Sequence, residues 1–166
     1  MEQFTQILRD ATAAVPAEFF LLPVHGGEAV FRERVYCYEL YHQLRCLWPT
    51  DSVYRLNGEV DKRSHPYFHE GKEPKPDLLV HRPGTGQNYA VVEVKACRVE
   101  NRDIDKDLMT LTLFRKFGYE RAIYLVYGGD AHNIVEKVYE RAAVLGEIAP
   151  FELWLHQAVG APAEGH

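Results

Sequence analysis

Fifteen residues separate Asp77 from Glu93, and Lys95 follows two positions later. Asp77 heads the apolar run Leu78-Leu79-Val80, while Glu93 and Lys95 alternate with valines in Val91-Val92-Glu93-Val94-Lys95. Both runs are rich in Val and Leu and alternate, so both read as strands. The segment between them, His81 to Asn88, contains Pro83, Gly84, Gly86 and Asn88 and reads as a turn. The pair is therefore an antiparallel hairpin. A turn centred at Thr85 sets Asp77 opposite Glu93, and one centred at Gly86 sets it opposite Lys95. Glu93 and Lys95 share one face of their strand, and Val92 and Val94 point to the other. Either register that turns Asp77 toward that face gathers two carboxylates and an ammonium.

Two carboxylates so close repel, and both stay ionised only with a cation between them. Oxygen-only ligands favour a hard ion, Mg²⁺ or Mn²⁺. Such an ion polarises a phosphate and lowers the pKa of a bound water. A neighbouring lysine can orient or deprotonate that water, or stabilise the developing negative charge. The chemistry described is phosphodiester hydrolysis. The plainer reading is a surface hairpin carrying a Glu–Lys salt bridge.

Pro76-Asp77, a spacer, then Glu93-Val94-Lys95 resembles the PD-(D/E)XK nuclease superfamily, which includes restriction endonucleases and Holliday-junction resolvases. The resemblance implies that Asp77 and Glu93 hold the metal and that Lys95 is catalytic. It implies a Mg²⁺- or Mn²⁺-dependent endonuclease acting on nucleic acid, DNA in the first place, in restriction, defence, repair or mobile-element processing. Members often draw a further Glu from the first core helix. Glu33 is the preferred candidate, because it lies on the inward stripe seven positions before Leu40; Glu39 is the alternative. Lacking a recognition module, so small a domain is expected to work as a homodimer or in a larger assembly. The competing function is a catalytically silent module of the same fold that binds protein or nucleic acid.

These residues need elements to hold them. Residues 2–14 read as an amphipathic helix with Phe4, Ile7, Leu8 and Ala11 on one side. A connector, Phe19-Phe20-Leu21-Leu22, lies between Pro16 and Pro23. Gly26-Gly27 then precedes a helix expected over 28–48, with the stripe Glu33, Cys37, Leu40, Tyr41, Leu44, Trp48. A strand is expected over 52–60 and a loop over 61–75. After the hairpin come a helix over 103–117, a buried strand over 122–127, a helix over 134–145 and a short strand over 151–155. The fold class is thus α/β: a mixed sheet with helices on both faces. The order αβββαβ with an added αβ matches the restriction endonuclease-like core. The expected division is an N-terminal helix and connector (1–25), the nuclease-like domain (26–159) and a disordered tail (160–166).

Other residues carry weaker signals. Glu59, at the end of the first expected strand, is a candidate further ligand or water-positioning acid; an ordinary polar turn is the plainer reading. Tyr36, Tyr38, Tyr41 and Trp48 could stack on bases, against a core or interface role. His42, His65, His69 and His81 have no common metal-ligand spacing, and Gly84-Thr85-Gly86 lacks the lysine and helix of a phosphate loop. Arg98, Arg102, Arg115, Lys116 and Arg121 form local basic clusters.

The composition fits this reading without selecting it. The chain has 166 residues, enough for one core, with 46% hydrophobic and 26% charged residues. Its formal net charge of −5 argues against a broad basic surface for nucleic acid. Cys37, Cys46 and Cys97 form no CxxC pair, so neither zinc nor a disulfide framework is indicated. With no signal-peptide pattern and no membrane-length apolar stretch, a cytoplasmic protein that does not bind membranes is expected.

Overall fold

The computed structural model describes residues 2–58 and 74–166. Its elements in chain order are α1 (Glu2–Ala13), α2 (Ala17–Phe20), α3 (Glu33–Leu47), β1 (Arg55–Gly58), β2 (Leu78–His81), β3 (Asn88–Ala96), α4 (Asn101–Lys116), β4 (Arg121–Tyr127), a 3₁₀ turn (Ala131–Asn133), α5 (Ile134–Leu145), β5 (Glu152–His156) and β6 (Glu164–Gly165). The six strands form one mixed sheet in sequential order. The pairs β1–β2, β2–β3 and β5–β6 are antiparallel, and β3–β4 and β4–β5 are parallel.

The connections explain the layering. Parallel neighbours need crossover helices, and two crossovers of the same hand that advance in one direction lay their helices on one face. Accordingly α4 and α5 cover the face carrying Leu79, Val91, Tyr124 and Val126. The other face carries Leu78, Val80, Val92 and Val94, and it is closed by α1 and α3 through Phe4, Leu8, Tyr36, Leu40 and Leu44. β4 is buried on both faces, as a central parallel strand should be. No helix among the described residues is long and apolar enough to cross a membrane.

Three expectations change. The helix expected from residue 28 begins at Glu33. Gly26, with a φ of 72°, makes a turn instead, and Leu22 and Val30 exchange two backbone hydrogen bonds of 2.9 Å across it. Backbone pairing to the connector thus outcompetes helix formation over 28–32. The division at residue 25 falls inside this clasp, and α1 shares its core with α3. The tail expected to be disordered supplies β6 against β5, buries Ala163, and donates the Ala163 N–H to Thr12 Oγ1 at 2.8 Å. Arg9 pairs with Glu164 beside it. Small residues let the tail lie close to the core, although its composition looks like a linker. The loop expected over 61–75 falls largely outside the described residues, as does Glu59.

Candidate functional site

Strand register decides what the hairpin acids can do. Leu78 pairs with Val92 and Leu79 with Val91, the register of a turn centred at Thr85, so Asp77 falls opposite Glu93. β2 begins only at Leu78, and β3 runs on to Ala96 with β4 alone as its neighbour there. The Val94 N–H on the vacated side therefore lacks a strand partner. It donates instead to Asp77 Oδ2 at 2.7 Å. The carboxylate caps the sheet edge where the two strands part, and this anchors Asp77 beside Glu93.

The two carboxyls lie close enough for Asp77 to act on the Glu93 charge. Glu93 is buried, 6% exposed, and its pKa stands well above the usual glutamate value, through desolvation first and then the charges of Asp77 and Asp107. Asp77 is raised to about 6, again mainly by burial and against the pull of the Val94 N–H. Such a pair is costly to ionise in the absence of a counter-charge.

Lys95 sits on the same face of β3. Its Nζ lies 3.0 and 3.1 Å from the two oxygens of Glu33 and 3.1 Å from Asp107 Oδ2. Burial alone would pull the lysine pKa down, but the charges of Asp107 and Glu33 outweigh it and hold the ammonium above its ordinary value. Lys95 is therefore a fixed cation. Glu33 lies in the first turn of α3 and reaches Lys95 although α3 packs on the opposite face of the sheet.

The sequence-predicted quartet of Asp77, Glu93, Lys95 and Glu33 is thus brought together. Glu39 does not join it; Gln43, one turn on, donates to its Oε1 at 2.6 Å. Asp107 was missed. It stands on the apolar stripe of α4 between Ile104, Leu108 and Leu111, is 2% exposed, and has its pKa raised to about 6 chiefly by desolvation. An acid at a core position of an amphipathic helix was the signal that could have found it. Asp107 Oδ2 meets Lys95 off the hydrogen-bonding direction, so their contact is an ion pair without an aligned hydrogen bond. Tyr124, level with Glu93 on β4, has its hydroxyl buried with no hydrogen-bond partner among the described residues.

Replacing Asp107 with Asn should keep the shape but loosen the hold on Lys95. The lysine pKa, followed by NMR of the ammonium, is expected to fall, and any turnover to drop about 10-fold, as for a removed partner of a catalytic group. An unchanged lysine titration would show that Asp107 has no hold on it.

The fit to a divalent ion follows from the same groups. Four carboxyls face one ammonium, and the buried Tyr124 hydroxyl lacks a hydrogen-bond partner among the described residues. Among the described residues no group of three or more His, Cys, Asp or Glu is arranged to enclose a metal. A hard ion such as Mg²⁺ needs no such cage, since it uses one or two carboxylates with water and substrate phosphate. Asp77 and Glu93 meet that need.

The basic clusters divide. Arg121 makes a two-pronged pair with Glu152 at 2.6 Å and lies 5.6 Å over the Phe4 ring, and Arg115 binds the Tyr119 and Glu120 carbonyls. These two hold the sheet. Arg102 and Lys116 line a groove of about 740 Å³ along α4. No family model, curated protein or solved structure matches the chain, so the functional reading rests on its own residues.

Proposed function

We propose that this protein is a divalent-metal-dependent phosphodiesterase acting on nucleic acid, with a restriction endonuclease-like arrangement of the PD-(D/E)XK kind. The observation that carries the reading is the meeting of Asp77, Glu93, Glu33 and Lys95 at the point where β2 and β3 part. A salt-bridged surface hairpin would leave these groups in solvent, whereas here Glu93 is buried beside Asp77, and Asp107 is buried against Lys95.

Each residue then has a distinct task. Asp77 and Glu93 would hold the ion, which when bound supplies Lewis-acid polarisation of the scissile phosphate. The Val94 N–H fixes Asp77 in place. Lys95, kept charged by Glu33 and Asp107, lacks the free electron pair of a general base. Its work is to orient the attacking water and to offset the charge that builds on the phosphate oxygens. Glu33, the more exposed of its two partners, is free to exchange Lys95 for that water.

The catalytically silent reading draws on the net charge of −5 and on the capture of Arg115 and Arg121 by structural partners. A cleavage assay separates the two. Plasmid, linear and single-stranded DNA and RNA are incubated with Mg²⁺, Mn²⁺ or a chelator. Ion-dependent cleavage of at least one polymer is expected, and none with the chelator. Binding without cleavage under every ion would favour the silent module.

A further inference from the structure

Three aromatic residues lie on α3, Tyr36, Tyr38 and Tyr41, and Trp48 follows at its C-cap. Tyr36 is buried and stacks on Tyr127 with ring centroids 3.9 Å apart. Trp48 meets the Phe4 ring edge-on at 6.0 Å and donates its Nε1–H to the Tyr54 carbonyl at 3.1 Å. Both serve the core. Tyr41 packs partly against the same core, and Tyr38 does not. They lie three positions apart, on one side of the helix, and Tyr38 is 59% exposed.

Both line a groove of about 430 Å³. Asn57, Gly58, Asp77 and Leu78 line it as well, and Gly58 lies against the Tyr41 ring, which leaves Tyr38 as the ring open to a ligand. The groove's volume falls within the ~300–1,000 Å³ usual for small-ligand sites. Asp77 thus belongs both to the carboxylate cluster and to this groove. Asn57 Oδ1 lies 2.9 Å from His81 Nε2, which fixes the amide and leaves Nδ2 as a donor among the described residues.

We propose that the Tyr38–Tyr41 groove is a base-stacking subsite that takes one unpaired nucleotide beside Asp77, making single-stranded or unpaired segments the substrate class. This rests on the phosphodiesterase reading of the adjoining cluster. An exposed tyrosine ring at the groove, that of Tyr38, suits the π-face of any base, and stacking of this kind is tolerant of sequence. A polar edge at Asn57 can meet the rim of the base. With the base in the groove, its own phosphate lies toward Asp77, so groove and cluster act on one nucleotide. Bases in an intact duplex are stacked on each other and cannot stack on such a ring without leaving the helix.

The test uses a single-stranded oligonucleotide carrying 2-aminopurine, with Ca²⁺ in place of Mg²⁺ so that binding is followed apart from hydrolysis. Stacking should quench the 2-aminopurine fluorescence with the unaltered protein, and a blunt duplex of the same sequence should bind more weakly and show no quench. Tyr38→Ala is expected to weaken single-strand binding about 5- to 100-fold, the range for loss of one stacked base, while Tyr38→Trp retains it. Since Tyr38 is largely exposed, a thermal melt should show both variants folded. Equal binding by Tyr38→Ala and the unaltered protein would overturn the subsite, and so would a preference for the duplex. If cleavage with Mn²⁺ persists in that case, the hydrolytic reading stands alone. Quenching that depends on Tyr38, with no cleavage under any ion, would keep the subsite and remove the hydrolytic reading.

Discussion

Asp77→Asn is expected to abolish cleavage and at the same time to stabilise the ion-free protein above pH 6. The asparagine oxygen can still accept the Val94 N–H, so the sheet edge keeps its cap. What disappears is a carboxylate that is hard to ionise where it stands. The Asp77 pKa rises from 3.8 to about 6 on folding, primarily through desolvation. Its folded value lies above its unfolded one, so its favourable contribution is complete below about pH 4 and is lost as pH rises through 6. Above that point the native aspartate costs up to ~3 kcal/mol relative to a group that does not titrate. Turnover should fall by about 10³-fold or more, because a metal ligand is lost. Chemical denaturation of both proteins at pH 4.5 and pH 8 checks the stability. The expected result is near-equality at the lower pH and a more stable variant at the higher. A variant less stable at pH 8 would mean that the carboxylate is already compensated within the protein.

The unaltered protein alone would not isolate this effect, since Glu93 and Asp107 are raised in the same sense and His156 opposes them. Tyr36 O–H donates to His156 Nδ1 at 2.7 Å, and His156 Nε2–H donates to the Ala158 carbonyl at 3.0 Å. Burial lowers the His156 pKa to about 4. That contribution is complete above about pH 6.5 and is lost as pH falls toward 4, the opposite sense to Asp77 over nearly the same window. The two slopes oppose each other, so the comparison of variants is what resolves them.

Lys95→Ala is expected to remove activity and, unlike Asp77→Asn, to destabilise the fold. The lysine side chain is 14% exposed and Asp107 only 2%. Removing the ammonium leaves Asp107 buried without its cation, a loss of ~3–5 kcal/mol for a broken buried pair. Part of that is recovered as Asp107 takes up a proton, since its pKa already stands near 6 and loses its main opposing charge. Adding Asp107→Asn to Lys95→Ala should therefore restore most of the stability and none of the activity. The lysine's contribution to rate, as a fixed charge near a developing oxyanion, is expected at about 10²–10³-fold. A double variant that regains turnover would show that Lys95 is structural only. A Lys95→Ala protein as stable as the original would show that the ion pair with Asp107 carries little weight.

Much of the site was legible because strands are regular. A period of two puts Glu93 and Lys95 on one face, and the short turn left only two registers for Asp77. The final register was not legible, because it depends on a one-residue irregularity between Val80 and His81, without which Asp77 would fall opposite Val92. Glu33 was reachable from its place on the α3 stripe, and its distance from Glu39 around the helix explains why only one of them meets Lys95. Asp107 was missed because an acid in a helix usually marks solvent, and only the tertiary partner shows otherwise. The clasp at Leu22–Val30 and the strand at Glu164–Gly165 were missed for another reason. Both depend on backbone pairing with distant or turn-linked segments, which leaves no side-chain periodicity to read.

The most direct measurement is anomalous diffraction from crystals soaked in Mn²⁺ at pH 7.5. The expected result is a peak about 2.0–2.3 Å from oxygens of both Asp77 and Glu93, with Lys95 still at Asp107. Manganese only at surface acids, with none at Asp77 and Glu93, would contradict the metal-dependent account.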